Sequence, residues 1–173
     1  MTRQKLTTIW LLPSDADDAR IRQITDELAD AQKGARFQPH MTLGSLQSFD
    51  PDLSSMFGSA QALDLTPIEI DRTEVFTMSL FVRFELSAKL ANLRAVLEAV
   101  PGFRASRTFD PHVSLCYGAP PELPEIDALF SGILDRPIRF NRIWATEIEV
   151  PVETYAHIRT WRKRASVELP GDD

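Results

Sequence analysis

The chain is poor in the residues that build several familiar kinds of protein. It has one cysteine, Cys116, among 173 residues, so an intramolecular disulfide is impossible and a reducing compartment is the expected setting. Its 7 glycines are scattered. Gly44 and Gly118 stand alone, and no glycine-rich loop opens a helix, so nucleotide hydrolysis of the P-loop kind finds no support. Neither Cys-x-x-Cys nor His-Glu-x-x-His spacing occurs, and no metal or other cofactor is expected. No apolar run approaches the roughly 20 residues that span a bilayer. Thr7 to Leu12 is short, lacks a small-residue cleavage pattern and runs into Asp15, Asp17 and Asp18, so a cytoplasmic protein without a membrane partner is expected. Basic charge is also short: 19 Lys and Arg against 25 Asp and Glu leave a net charge of −6. That balance disfavours sequence-independent gripping of long nucleic acid, which requires many neutralised phosphates, but admits a small or terminal phosphate.

Against this background one phrase stands out because it is written twice. Phe37-Gln38-Pro39-His40-Met41-Thr42-Leu43 returns 72 residues later as Phe109-Asp110-Pro111-His112-Val113-Ser114-Leu115. The two copies use two of the chain's 3 histidines. With 43% apolar residues the chain is expected to form one domain over 1–173, with internal repeats near 6–70 and 74–150.

The local pattern supports a repeat longer than the phrase. Thr7 to Leu12 reads as a buried strand, with Ser14 capping a helix that carries Ile21, Ile24 and Leu28 and stops at Gly34. His40 to Leu46 is the next strand. Asp50-Pro51 reads as a cap with proline at the first helical position of a short helix over Asp52 to Phe57, and Leu63 to Asp71 is extended. Val75 to Leu86 has strand composition, and Ser87 caps a helix with Leu90, Leu93, Leu97 and Val100, ended by Pro101-Gly102. His112 to Tyr117 is a strand, Ala119 to Pro124 a loop, Ile126 to Phe130 a short helix, and Ile138 to Ile148 and Thr160 to Leu169 are strands. Strand, helix, strand therefore occurs twice, each copy ending in the histidine phrase. This order predicts an α+β, bilobal architecture: two pseudo-symmetric lobes, each with an antiparallel sheet and outer helices, around a central cleft.

Strand alternation places His40 with Thr42, and His112 with Ser114, on one face, while Met41, Leu43, Val113 and Leu115 enter the core. Each phrase presents an imidazole beside a hydroxyl. A neutral and a protonated histidine on opposite sides of one phosphorus suffice for metal-free acid–base chemistry, and the hydroxyls are donors for its non-bridging oxygens.

The paired His-x-Thr/Ser-Leu strands resemble the signature of the 2H phosphoesterase superfamily. Thr8 to Pro13, Pro111 to Tyr117 and Phe140-Asn141-Arg142-Ile143 resemble its cyclic phosphodiesterase branch. The resemblance implies a bilobal, metal-independent enzyme that opens nucleoside 2′,3′-cyclic phosphate or ADP-ribose 1″,2″-cyclic phosphate. It carries over His40, Thr42, His112 and Ser114 as catalytic residues, with Tyr117 and Trp10 as substrate-binding aromatics. Ser45 stands where the second copy has Tyr117, so the halves are chemically unequal. Strict alternation puts Tyr117 on the Val113 face, away from Ser114, so the strand has to twist or end first. An enzyme acting on RNA ends or 2′,5′-linked oligonucleotides, and a non-catalytic nucleotide-binding module, are the alternatives. A monomer is expected.

Three signals are set aside. His157 reads as a surface or loop residue. Arg159, Arg162, Lys163 and Arg164, with Arg136, Arg139 and Arg142, read as a solvated face rather than a positive rim. Cys116 shares the nominal face of His112 and Ser114, but a cysteine nucleophile lacks a nameable third group.

Overall fold

The structure, a computed structural model, describes residues 2–47, 50–105, 108–122 and 126–171. Among these residues nine strands run β1 (Gln4–Pro13), β2 (Met41–Leu46), β3 (Leu63–Leu65), β4 (Pro67–Arg72), β5 (Leu80–Phe84), β6 (Phe103–Arg104), β7 (His112–Cys116), β8 (Ile138–Val150) and β9 (Arg162–Glu168). Between them lie α1 (Asp15–Ala31), α2 (Leu53–Phe57), α3 (Ala88–Glu98), α4 (Ile126–Leu134) and α5 (Tyr155–Ile158). The strand order is β3-β8-β1-β2-β7-β5-β4, with β6 beside β2 and β9 beside β8. All of these pairings are antiparallel. The α+β architecture is as expected, and the sheets of the two halves are joined where Met41 of β2 pairs with Val113 of β7. The two histidine phrases thus end in neighbouring central strands.

Helices α1 to α4 pack on one face, in one core. α1 packs against β7 as well as β1, and α3 against β2 and β6, so the helix of each half backs the histidine strand of the other. Ile21, Ile24, Leu28, Leu90 and Leu97 meet Met41, Leu43, Val113 and Leu115 in one core, all nearly inaccessible. Each such side chain contributes about 1.5–3 kcal/mol by leaving water. On the other face the cleft opens beside β2 and β7, with Phe76, Thr77 and Met78 in its wall.

Several local expectations are corrected. Asp52, not Asp50, caps α2, its carboxylate accepting from the Ser55 N–H at 3.1 Å. Val75 to Leu86 is not one strand, because a 3₁₀ turn at Phe76–Met78 precedes β5. The turn brings the Thr77 carbonyl to Ser114. Helix α4 continues past Phe130 to Leu134. At the end of α1 the left-handed residue is Lys33 (φ 52°), while Gly34 donates to the Ala29 carbonyl and leaves room for the Tyr155 ring, which a Cβ would approach at 3.0 Å. Ser14 and Ser87 cap α1 and α3 as expected. In the loop after β7, residues 123–125 lie outside the described residues.

Both histidine strands carry a β-bulge at the same place. Opposite the Ile9–Trp10 step of β1, Gly44 and Thr42 are the partners and Leu43 is the extra residue. Opposite the Leu80–Phe81 step of β5, Cys116 and Ser114 are the partners and Leu115 is extra. A bulge resets the alternation of every side chain beyond it.

Candidate active site

His40 and His112 line one cleft of about 650 Å³, together with Thr42, Ser114, Tyr117 and Trp10. The two rings are held alike. Nδ1 of His40 lies 2.7 Å from the Gln38 carbonyl, and Nδ1 of His112 lies 2.7 Å from the Asp110 carbonyl. In each phrase that carbonyl belongs to the residue before proline, which proline confines to extended backbone. With Nδ1–H donating to the carbonyl, Nε2 is the proton-transfer nitrogen of each ring. The residues supplying the carbonyls are themselves anchored. Gln38 accepts from Arg22 at 2.8 Å and donates to Asp18 at 2.5 Å, whereas Asp110 takes Arg83 through Nε at 2.9 Å and Nη2 at 3.2 Å. Arg83 also meets Glu69 and Asp71, and these hydrogen bonds, Asp110 first, hold its guanidinium firmly protonated.

The aromatic backing differs between the halves. Trp10 stacks face to face on His40, with centroids 3.7 Å apart and planes at 12°, and Trp161 stands beside both rings, edge-on to His40 at 5.9 Å and to Trp10 at 5.3 Å. At the equivalent place in the other half, Phe81 meets His112 only edge-on at 5.2 Å. Burial beneath the indoles pulls the pKa of His40 down to about 4, the Gln38 carbonyl opposing this and the His112 charge adding to it. His40 is therefore neutral at pH 7.

The hydroxyls also differ. Ser114 donates to the Thr77 carbonyl at 2.8 Å and shares a hydrogen bond with the Tyr117 hydroxyl. The Thr42 hydroxyl has no protein partner among the described residues. Thr42 is thus poised to donate to a ligand, while Ser114 must first turn from Thr77.

The bulge at Leu115 resolves the placement of Tyr117. Val113 and Leu115 face the core and Ser114 the cleft, but beyond the bulge Cys116 turns into the core and Tyr117 into the cleft. Ser45 enters the cleft in the same way beyond Leu43, and its hydroxyl meets that of Thr8 at 3.3 Å. Tyr117 is buried, which pushes its phenol well above the usual range. Cys116 loses the face it shared in strict alternation. Its thiol lies 3.2 Å from Gln32 of α1 and burial raises its pKa, so the thiolate that a nucleophile needs is disfavoured.

Trp10 reaches the cleft, but its ring face is spent on His40. Trp161, Phe81 and Arg94 were missed by sequence reasoning. Arg94 of α3 donates to the Leu43 carbonyl at 2.5 Å, between the rings of Phe103 (4.7 Å) and Phe109 (4.8 Å), and so holds the first bulge. An arginine on the buried side of an amphipathic helix was the available signal. Trp161 had none, because it arrives from a segment remote from both phrases. His157 is half-buried and its Nδ1 accepts from the Glu153 N–H at 3.1 Å, away from the cleft. Among the described residues no three His, Cys, Asp or Glu side chains gather as metal ligands would, and no helix is long and apolar enough to cross a membrane.

No protein-family model matches the chain, and no curated protein matches it in sequence. Solved structures do match in fold. Escherichia coli LigT complexed with 3′-AMP superposes with a TM-score of 0.55 at 15% identity, covering 97% of this chain and 99% of that one. The same protein complexed with NADP+ gives 0.56 at 14% identity, covering 97% and 99%. A structure described as a phosphoesterase gives 0.57 at 16%, covering 96% and 99%. The resemblance to the 2H phosphoesterase superfamily is borne out at the level of the fold.

Proposed function

We propose that this chain, which has the 2H phosphoesterase fold, is a phosphoesterase that opens a small cyclic phosphodiester by water attack, with His40 as general base and His112 as general acid. The observation that carries the reading is the matched pair of imidazoles on one cleft, each with Nδ1 on the carbonyl two residues earlier. Nε2 of neutral His40 takes a proton from water as its oxygen bonds to phosphorus. On the opposite side the bond to one ring oxygen breaks, and protonated His112 delivers its Nε2 proton to that oxygen, leaving a phosphate monoester. The depressed pKa of His40 favours the neutral form before substrate binds, and the phosphate's negative charge then strengthens it as a base. Thr42 donates to a non-bridging oxygen where charge accumulates, and Ser114 joins by turning from Thr77. Tyr117 lies against the sugar or base.

Nucleoside 2′,3′-cyclic phosphates and ADP-ribose 1″,2″-cyclic phosphate are the substrates we assign. The cleft volume suits a nucleotide, and LigT, of the same fold, has been crystallised with 3′-AMP and NADP+. The test is to incubate the protein with these compounds in excess chelator and follow phosphorus NMR. Conversion to monoester is expected, with a loss of at least about a hundredfold for His40→Ala or His112→Ala at unchanged circular dichroism. No conversion by the parent, or full activity of either variant, refutes the reading. Tight binding without turnover points instead to a nucleotide-binding module.

A further inference from the structure

Behind the Trp10–Trp161 pair lies a second cavity, of about 270 Å³, which the reaction does not use. Its wall includes Arg36, Arg159, Lys163, Trp144 and Thr146, and among the described residues it contains no Asp or Glu. In a chain of net charge −6, a lining with three cations and no carboxylate is a marked local reversal of sign. Arg36 is paired with Asp26 and Asp30. Lys163 and Arg159 have no carboxylate partner among the described residues. Lys163 rests on the Trp144 ring at 4.6 Å, and Arg159 reaches only the Gly34 carbonyl at 3.4 Å. Three other members of the basic set are neutralised by carboxylates: Arg139 pairs with Asp64, Arg142 with Asp15 and Arg164 with Glu147.

A second, independent observation concerns neutral donors. The Thr146 hydroxyl, on a residue 1% exposed, and the Trp161 indole N–H are both buried with no hydrogen-bond partner among the described residues. Both residues line this cavity. Orphaned buried polar groups are rare in folded proteins because each costs about 1–3 kcal/mol. Of the seven such atoms among the described residues these two belong to the wall of this cavity, and beside its cations they suit a ligand rich in acceptors.

We propose that this cavity is an anion subsite for a phosphate group, held by Lys163 and Arg159 with the Thr146 hydroxyl and the Trp161 N–H. The phosphate belongs either to the substrate in the neighbouring cleft or to a separate molecule, and only the first source rests on the proposed function. All 3 tryptophans of the chain, Trp10, Trp144 and Trp161, line the cavity, so indole fluorescence reports its occupancy.

The test titrates inorganic phosphate into the whole chain by calorimetry and fluorescence at low ionic strength. A binding phase present in the parent is expected to weaken at least tenfold in an Arg159→Gln, Lys163→Gln double variant and to stay within twofold in Arg164→Gln. Identical isotherms for parent and double variant, or an equal loss in Arg164→Gln, overturn the proposal, whether or not the protein turns over any substrate. Kinetics identify the source. A tenfold higher KM in the double variant for a 5′-phosphorylated nucleoside 2′,3′-cyclic phosphate, with the unphosphorylated compound unaffected, assigns the site to the substrate's own second phosphate. Loss of the binding phase with both KM values unchanged assigns it to a separate phosphate.

Discussion

His40 ties the chemistry of this cleft to the stability of the fold. Its pKa lies near 4 in the folded chain, against an ordinary value of 6.5 that the unfolded chain recovers. Between those two values the unfolded state binds a proton that the folded state refuses, so stability rises with pH across the window. The contribution is complete above pH 6.5 and is lost as pH falls toward 4. Across the whole window it amounts to about 3 kcal/mol, and between pH 7 and pH 4.5 to about 2.4 kcal/mol. Replacing His40 by Gln, which does not titrate, removes that slope. Urea unfolding of parent and variant at pH 7 and pH 4.5, in buffers free of phosphate, gives the double difference directly. The parent is expected to lose about 2 kcal/mol more than the variant on acidification. An equal loss in both proteins refutes the claim that the indoles keep this ring neutral, and with it the assignment of His40 as the base.

Other substitutions separate roles that the repeated phrase makes look alike. Thr42→Val is expected to slow turnover by about a hundredfold with little change in Tm, because the hydroxyl it removes bonds none of the described residues. Ser114→Ala, in contrast, strands the Thr77 carbonyl and the Tyr117 hydroxyl and is expected to lower stability by about 1–2 kcal/mol as well as slowing the reaction, as thermal melts and initial rates together will show. Arg94→Met leaves the Leu43 carbonyl buried and unpaired, and denaturant unfolding should register a loss of about 2–4 kcal/mol. Cys116→Ala creates a small void on the core face, costing about 1 kcal/mol, and leaves kcat unchanged. A collapse of kcat there revives the cysteine nucleophile.

Much of the molecule is legible along the chain because it depends on nearest neighbours. The capping serines Ser14 and Ser87, the helical spacing of Ile21, Ile24 and Leu28, and the alternation through Met41 to Leu43 are local properties. Misreadings arose where a tertiary contact outweighs local propensity. The 3₁₀ turn at Phe76–Met78 interrupts a segment of strand composition and sets the Thr77 carbonyl against Ser114. The cap of α2 is a different case, a local choice between two aspartates: Asp52 takes it by accepting from the Ser55 N–H and hydroxyl, although Asp50-Pro51 reads better as a start.

What the sequence determined by itself is the chemical inventory: two imidazoles and two hydroxyls, repeated at matching places in two strand–helix–strand units, on the polar face of strands whose other face is apolar. Tertiary structure alone decided how that inventory is divided. A bulge exists only relative to a partner strand that is one residue short, so nothing within Val113 to Tyr117 announces that the register with Leu80 and Phe81 will send Cys116 inward and Tyr117 into the cleft. The pKa of His40 is likewise set by its surroundings. Trp10 and Trp161 are separated by most of the chain and meet only when β1 and the β9 end of the sheet curve around the same ring, and that desolvation distinguishes His40 from His112 although the two stand in nearly the same phrase.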